Sequence, residues 1–335
     1  MKIKSLILVG LAVVAVGCKQ QAVQDPLPSW NDTPVKQQII EYLDVKAEQI
    51  PVEDRVAVFD MDGTIMCEAP LWCEMAVAAN GIVEFQKENP EINQTEYYKM
   101  AQKLVENPTD STVLNNWFVD GKNYLDSVVH NAFKGVDHEV YVDFAHKFLK
   151  ETKVPRYGMP YAEAFYQPML ELIDYLKAKQ FEVYLVSGSM QGVVWAVAPE
   201  ATGLDRHNLI GTVQNMSVTY PTDGKASFKI ENTIRKPKNN RNGKTVNIYN
   251  HCGKIPVMAV GNTTGDFGMF EMASTSPYPH LAILINHDDG REYIYEPWHG
   301  KGLPGWQDTL KVHNWLQADM SKEFKTVWMT KPNAK

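Results

Sequence analysis

Asp60 and Asp62 stand two residues apart where the apolar run Val56–Phe59 ends, and Gly63 and Thr64 follow at once. Paired carboxylates at the mouth of a buried strand repel each other and require a compensating cation. Two other apolar runs end in a comparable way. Val183–Val186 leads into Ser187, Gly188 and Ser189, and Val257–Val260 leads into Gly261, Asn262, Thr263, Thr264, Gly265 and Asp266. A hard divalent ion with oxygen ligands, Mg²⁺ above all, suits such a set and also partners phosphate oxygens. An Asx turn or a helix cap would account for the Asp60/Asp62 spacing alone. It leaves the hydroxyls, glycines and acids at the ends of the other two runs unexplained.

The elements that must position these residues follow from the same runs. Val56–Phe59, Val183–Val186, Val257–Val260 and Leu281–Ile285 are continuously apolar rather than alternating, as expected of strands buried on both faces of a parallel sheet. Helical spacing separates them, for example Met169, Leu170, Leu172, Ile173 and Leu176, with Pro168 in a tolerated first-turn position. The fold class is therefore α/β, a doubly wound Rossmann-like parallel sheet. In such a sheet, ligands bind outside the carboxyl ends of the strands. More than a hundred residues separate the first two runs, so residues 67–164 are expected to form an inserted, mainly helical domain. Residues 54–66 and 165–335 then make the α/β core. Within the core, two strand-like runs flank the turn signal PTDG between Met216 and Ile230.

Composition narrows the class of partner. The 335-residue chain is 44% hydrophobic with a formal net charge of −7 and no long block of like charge, which argues against a nucleic-acid binder. The basic stretch RKPKNNRNGK has no interleaved aromatics, and its first four cations read as a solvated loop. The amino terminus is separate. Lys2 and Lys4 precede the apolar run Leu6–Val16, which ends at Ala15–Cys18 in AVGC. A basic start, a short apolar stretch and small residues describe a secretory signal over residues 1–17. The cysteine resembles a bacterial lipobox, which implies lipidation at Cys18 and display on a bacterial membrane. Residues 19–33 read as a polar tether and Val35–Ile50 as a helix, giving a tether-and-helix region over 18–53. Three other cysteines, Cys67, Cys73 and Cys252, have no CxxC pair, which disfavours a zinc site. Cys67 and Cys73 could pair in an oxidising compartment.

Taken together, the strand ends resemble the haloacid dehalogenase-like (HAD) phosphatase superfamily, in its phosphoserine phosphatase-like and phosphorylcholine phosphatase-like subgroup. DMDGT at 60–64 is similar to its first motif, Ser187 in YLVSGS to its second, Lys244 in NGKTVNIYN to its third and GNTTGDFGM at 261–269 to its acidic fourth. The resemblance implies that Asp60 is a nucleophile forming an aspartyl-phosphate. It implies that Asp62 is the general acid and base. Thr64 and Ser187 would donate to phosphoryl oxygens, and Gly63 and Gly188 would let backbone N–H groups approach. Lys244 would neutralise the transferring group. Mg²⁺ would be held by Asp60, Asp62 through its backbone carbonyl, Asn262 and Asp266. Asn262 departs from the commoner aspartate, so one ligand is neutral.

The insertion resembles the helical cap of the same subgroup, which closes over small substrates. Glu68, eight residues after Asp60, lies near where serine-phosphate enzymes meet the substrate amine; an exposed hinge glutamate is the plain alternative. Trp72, Trp117, Tyr157 and Tyr161 could form a cage for a quaternary ammonium or simply be cap core. Trp298 and Trp306 are candidates for the rim, and NHDDGREYIYE at 286–296 carries no chemistry that can be read. The reading that results is a lipid-anchored, Mg²⁺-dependent phosphomonoesterase acting on a small phosphorylated metabolite. Phosphoserine, phosphocholine and phosphoethanolamine are candidates. A phosphotransferase or pyrophosphatase on the same scaffold, or a noncatalytic binding lipoprotein, are the alternatives.

Overall fold

The computed structural model describes residues 25–109, 118–119, 122–222, 224–294 and 306–329. A six-stranded sheet runs through the molecule. Its strands are β1 (Val56–Phe59), β2 (Glu182–Met190), β3 (Leu209–Thr212), β4 (Met258–Gly261), β5 (Leu281–Asn286) and β6 (Leu316–Asp319). They lie in the order β6-β5-β4-β1-β2-β3, every pairing parallel. This is the doubly wound arrangement, with β1 and β4 adjacent at the point where the strand order reverses. Val58 lies level with Tyr184 on one side and Ala259 on the other.

The continuous apolar runs serve both faces. Ala57 and Phe59 point into one core with Val183, Leu185, Met258 and Val260, while Val56 and Val58 point into the other with Tyr184, Val186 and Ala259. The helices divide accordingly. On the first face lie α1 (Pro34–Glu41), α6 (Gln167–Ala178) and α7 (Gln191–Thr202), the last two through Leu172, Ile173, Val193 and Val194. The second face is covered by α8 (Asn242–Cys252) and α9 (Phe267–Ser274), through Ile248, Met269 and Phe270. Four strands were legible as apolar runs. The two outermost, β3 and β6, were not, because LIGT and LQAD are short and half polar, as edge strands commonly are.

Between β1 and β2 the described residues are mainly helical: α2 (Cys73–Phe85), α3 (Glu96–Glu106), α4 (Tyr124–Asn131) and α5 (His138–Glu151). Phe133 stacks on Tyr141 with ring centroids 3.9 Å apart. The two rings press against glycines. A Cβ on Gly81 would fall 2.2 Å from Phe133, and one on Gly192, in α7, 2.2 Å from Tyr141. Tyr141 thus docks the insertion on the core through a contact that only a missing side chain permits. The hairpin Gln214–Thr219/Ser227–Ile234, grouped with the core in the sequence reading, instead joins this layer. Gly135 N–H donates to Ile230 O and Ile230 N–H to Val136 O, while Asp137, the N-cap of α5, accepts the Ser227 hydroxyl.

Two further expectations are corrected. The polar stretch read as a tether is not one beyond residue 25. Leu27 and Trp30 are fully buried, Trp30 Nε1 donates to Pro168 O, and its ring meets Phe324 edge-on at 5.1 Å. Two apolar side chains among polar neighbours suffice to dock such a segment. Cys67 and Cys73 are buried free thiols, as is the partly buried Cys252; the Cys67 thiol donates to Ala69 O. Cys18 and the signal over 1–17 lie outside the described residues. Among the described residues no helix is long and apolar enough to cross a membrane.

Candidate active site

β1 ends in a turn that reverses within five residues. Asp60 N–H still bonds to β4, at Val260 O. Then Thr64 and Ile65 N–H both reach back to Met61 O, and Gly63 N–H donates to Met66 O. Gly63 holds φ +75°, a conformation that costs a residue with a Cβ. The turn leaves the side chains of Asp60 and Asp62 on one side, at the carboxyl edge of the sheet.

Three other segments converge there. Lys244, in the first turn of α8, lays Nζ between Asp60 Oδ1 and Asp266 Oδ1, the latter at 2.8 Å; all three side chains are nearly inaccessible. Asp266 closes a capping box after β4, its Oδ2 accepting the N–H groups of Asn262 and Thr263 at 3.1 Å each. Thr64 Oγ1 donates to Asp60 Oδ2 at 3.0 Å. Asp62 turns towards β2, where Ser187 Oγ (3.0 Å) and Ser189 Oγ (2.9 Å) both donate to its Oδ2. Asn239 ties the lysine loop to the sheet, its Nδ2 donating to Ser187 O and Ile210 O. A cavity of about 620 Å³ opens over this edge, bordered by Asp60, Asp62, Glu68, Lys244, Asn262 and Asp266.

The electrostatics follow from crowding. Burial first, then the Asp266 charge, pushes the Asp60 carboxyl up to about 7 despite its bond to Lys244. Burial raises Asp62 as well, against the two serine hydroxyls, and raises Glu68 far above the usual range, with Asp62 and Asp60 adding to it. Burial opposes the charge on Lys244, but Asp266 and Asp60 more than offset it, so its pKa is raised. One ammonium is therefore shared by two carboxylates and does not neutralise the cluster. The donors fit a hard divalent cation: carboxylates, a main-chain carbonyl and the Asn262 amide, with negative charge left over. Among the described residues no three His, Cys, Asp or Glu side chains already stand as a cage for one. Asn262 Nδ2 instead donates to Glu68 Oε1 at 3.0 Å.

The model of the haloacid dehalogenase-like hydrolases matches residues 57–271, from β1 to α9. The chain belongs to this family. No curated protein matches it in sequence. Similar solved structures include a conserved protein of unknown function from Anaerococcus prevotii, 17% identical over 76% of this chain and 86% of that one, with a TM-score of 0.48. A phosphoserine phosphohydrolase-like protein from Francisella tularensis is 13% identical over 80% and 97%, at a TM-score of 0.40. A substrate-bound phosphoserine phosphatase is 19% identical over 69% and 86%, at 0.36.

Within this HAD-like hydrolase, several residues stand differently from expectation. The Thr64 and Ser187 hydroxyls, expected to meet phosphoryl oxygens, are fully buried and bond to Asp60 and Asp62. Ser189, named at the strand end but given no role by the sequence, reaches the cavity beside Gly188. The Gly63 N–H is occupied by Met66 O and is turned away from any ligand. In the lysine loop Lys244 is buried, while Lys238, expected in a solvated loop, pairs with Asp126 and also borders the cavity.

The wall facing the sheet edge is formed by Trp72, Glu74, Thr109, Leu125 and Tyr293. Glu74 Oε1 accepts Met190 N–H, and burial pushes its carboxyl up to about 7. The four-ring cage does not assemble. Tyr161 is buried with its hydroxyl on Leu71 O, and Tyr157 bonds to Glu292 O and packs against Trp328 at 4.8 Å. Of the three described, Trp72 alone lines the cavity. Trp117 and Trp298 lie outside the described residues, and Trp306 begins the helix Trp306–His313.

The segment that carried no legible chemistry turns out to support the catalytic turn. His287, just past β5, places Nε2 2.6 Å from Gly63 O and Nδ1 2.8 Å from Glu292 Oε2. Glu292 is fully buried and also accepts the Tyr166 hydroxyl at 2.9 Å. Nothing in the spacing of His287 relative to Gly63 could have revealed a contact across 224 residues.

Proposed function

We propose that this chain is a Mg²⁺-dependent phosphomonoesterase for a small phosphorylated metabolite, exported and lipid-anchored at Cys18. The observation that carries the reaction is the shared ammonium: Lys244 binds Asp60 and Asp266 at the rim of a cavity, with Asp62 two residues from Asp60. Export and anchoring rest on Lys2, Lys4, the run Leu6–Val16 and Cys18.

In the first step an Asp60 carboxylate oxygen attacks phosphorus, and the P–O bond to the alcohol breaks. Asp62 gives its proton to the departing oxygen. Burial raises its pKa, which favours the protonated form, and Ser187 and Ser189 fix the carboxyl's place. In the second step water attacks phosphorus, Asp62 takes a proton from it, and the bond to Asp60 breaks to release phosphate. Lys244 holds Asp60 in line and supplies positive charge to the transferring group throughout. Asp60, the Asp62 main-chain carbonyl and Asn262 would hold Mg²⁺, with Asp266 behind them. The ion would screen the carboxylates and draw charge from the phosphoryl oxygens. Glu68, at the cavity wall beside Asn262, suits a substrate amine, which favours phosphoserine or phosphoethanolamine types. The insertion would close over so small an ester and exclude water.

Release of phosphate from p-nitrophenyl phosphate tests the reading. Activity is expected with Mg²⁺, is abolished by EDTA and restored by Mg²⁺, and falls at least about 10⁴-fold in Asp60→Asn. Turnover that survives either treatment sinks the mechanism. Inactivity across a broad set of phosphate esters would favour a binding lipoprotein.

A further inference from the structure

The catalytic turn is pinned on both sides of Gly63, and the two pins differ in origin. Its N–H is held locally, by Met66 O. Its carbonyl is held from another strand, by His287. A carbonyl oxygen offers no proton, so Nε2 is the donor. The imidazole is itself locked: Nδ1 faces Glu292, which also accepts the Tyr166 hydroxyl and the Tyr293 N–H and meets the Cys67 thiol. His287 is 2% exposed and Glu292 0%. Neither borders the cavity, so neither touches substrate. The carbonyl they hold belongs to the Gly63–Thr64 peptide, one Cα beyond the bond to Asp62, and the Thr64 N–H of that same peptide is bonded to Met61 O. Gly63 has the freest backbone in the turn, and without an outside donor its buried carbonyl would be unsatisfied, which would loosen the residue next to the Asp62 carboxyl.

We infer that His287, braced by Glu292, is a positioning residue for the general acid: by fixing the Gly63 carbonyl it sets where the Asp62 carboxyl stands relative to Asp60. This inference rests on the phosphatase reading. It has a consequence that simple support of the fold lacks. Proton donation in the first step matters for an alkoxide leaving group and hardly at all for p-nitrophenolate, so misplacing Asp62 lowers kcat/KM, which reports that step, selectively for alkyl esters, whereas its role as base towards water is common to both.

The experiment compares kcat and KM for phosphoethanolamine, or whichever alkyl phosphate the wild type cleaves best, with those for p-nitrophenyl phosphate. His287→Asn places its amide near the Nδ1 position and cannot reach Gly63; His287→Gln can place a donor near Nε2. For His287→Asn, kcat/KM on the alkyl ester should fall about 100-fold, the size of a displaced catalytic group. On the aryl ester kcat/KM should fall less than about 10-fold. His287→Gln should recover much of the alkyl-ester activity. Equal losses on both esters, or indistinguishable Asn and Gln variants, would overturn the inference while leaving the phosphatase reading intact. A wild type that cleaves neither ester would overturn both. If His287→Asn does not fold, His287→Gln and Glu292→Gln carry the test: a leaving-group-dependent loss in Glu292→Gln supports the inference, and a uniform one overturns it.

Discussion

On the sheet side of the cavity, Asp60, Asp62, Lys244 and Asp266 are each held by two or more polar partners. On the insertion side, Trp72, Thr109 and Leu125 reach the same cavity from a layer that packs largely through aromatic rings, with Glu74 beside them tied to Met190 N–H. The first wall is overdetermined by charge; the second presents the apolar bodies of Trp72 and Leu125 on a helix layer. Phosphoryl transfer demands fixed charges, which a low-dielectric sheet edge can fix and amplify. Discrimination between substrates needs shape, which substitutions in an apolar lining can change without disturbing those charges. The two walls should therefore fail differently.

The sharpest way to break the comparison is Lys244→Met. Two buried carboxylates would then face each other without their ammonium. Phosphatase kcat should drop by at least about 10³-fold, in the upper range for loss of one charge-stabilising group. Stability measured by chemical denaturation should fall by about 3 kcal/mol, as when one partner of a buried pair is removed. A variant of near-normal activity would show that the charges on the sheet side are not what drives the reaction. On the other wall, Trp72→Ala should raise KM for the preferred small ester about 10-fold, the worth of one apolar pocket contact. Its kcat on p-nitrophenyl phosphate should move less than about 3-fold. A kcat collapse equal to that of Lys244→Met would erase the distinction between the walls.

The smallest effect is in pH dependence. Asp60 titrates at about 7 in the fold, and Asp62 and Glu68 are also raised. The native state then binds more protons than the unfolded chain between the ordinary carboxylate range and about 7, so stability falls as pH rises through that window. In EDTA, the melting temperature should decline by a few degrees between pH 5 and 7.5. Millimolar Mg²⁺ should flatten that decline, because an ion bound to the native carboxylates replaces the protons. A melting temperature that climbs with pH in EDTA would show that the carboxylates are already neutralised by the protein.

The contrast also explains what could be read from the sequence. The sheet side was legible because its chemistry is contiguous with its structure: Asp60–Thr64 and Gly261–Asp266 sit at the ends of unbroken apolar runs, and Lys244 precedes a helix. The direction of each hydroxyl was not. Whether Thr64 points at a ligand or at Asp60 depends on a turn whose geometry is set by Gly63 and by bonds to Met61 and Met66. The choice between an aromatic cage and packed core was left open in the sequence because Tyr157 and Tyr161 are apolar bodies with hydroxyls that backbone carbonyls satisfy, which composition cannot distinguish from a binding site; both are buried. His287 was invisible because its partner lies 224 residues away.

The docking of Trp30 against Phe324, with Asn31 N–H bonded to Glu323 O, bears on biogenesis. Trp30 finds Pro168 O half-way along the chain, but its packing is completed only when almost the whole polypeptide has emerged. If the chain is exported as proposed, that indole would stay partly uncovered for much of its passage and be sealed last. Completion of this seam, rather than formation of the sheet, would then mark the moment at which a newly made molecule becomes resistant to proteases that attack loose ends.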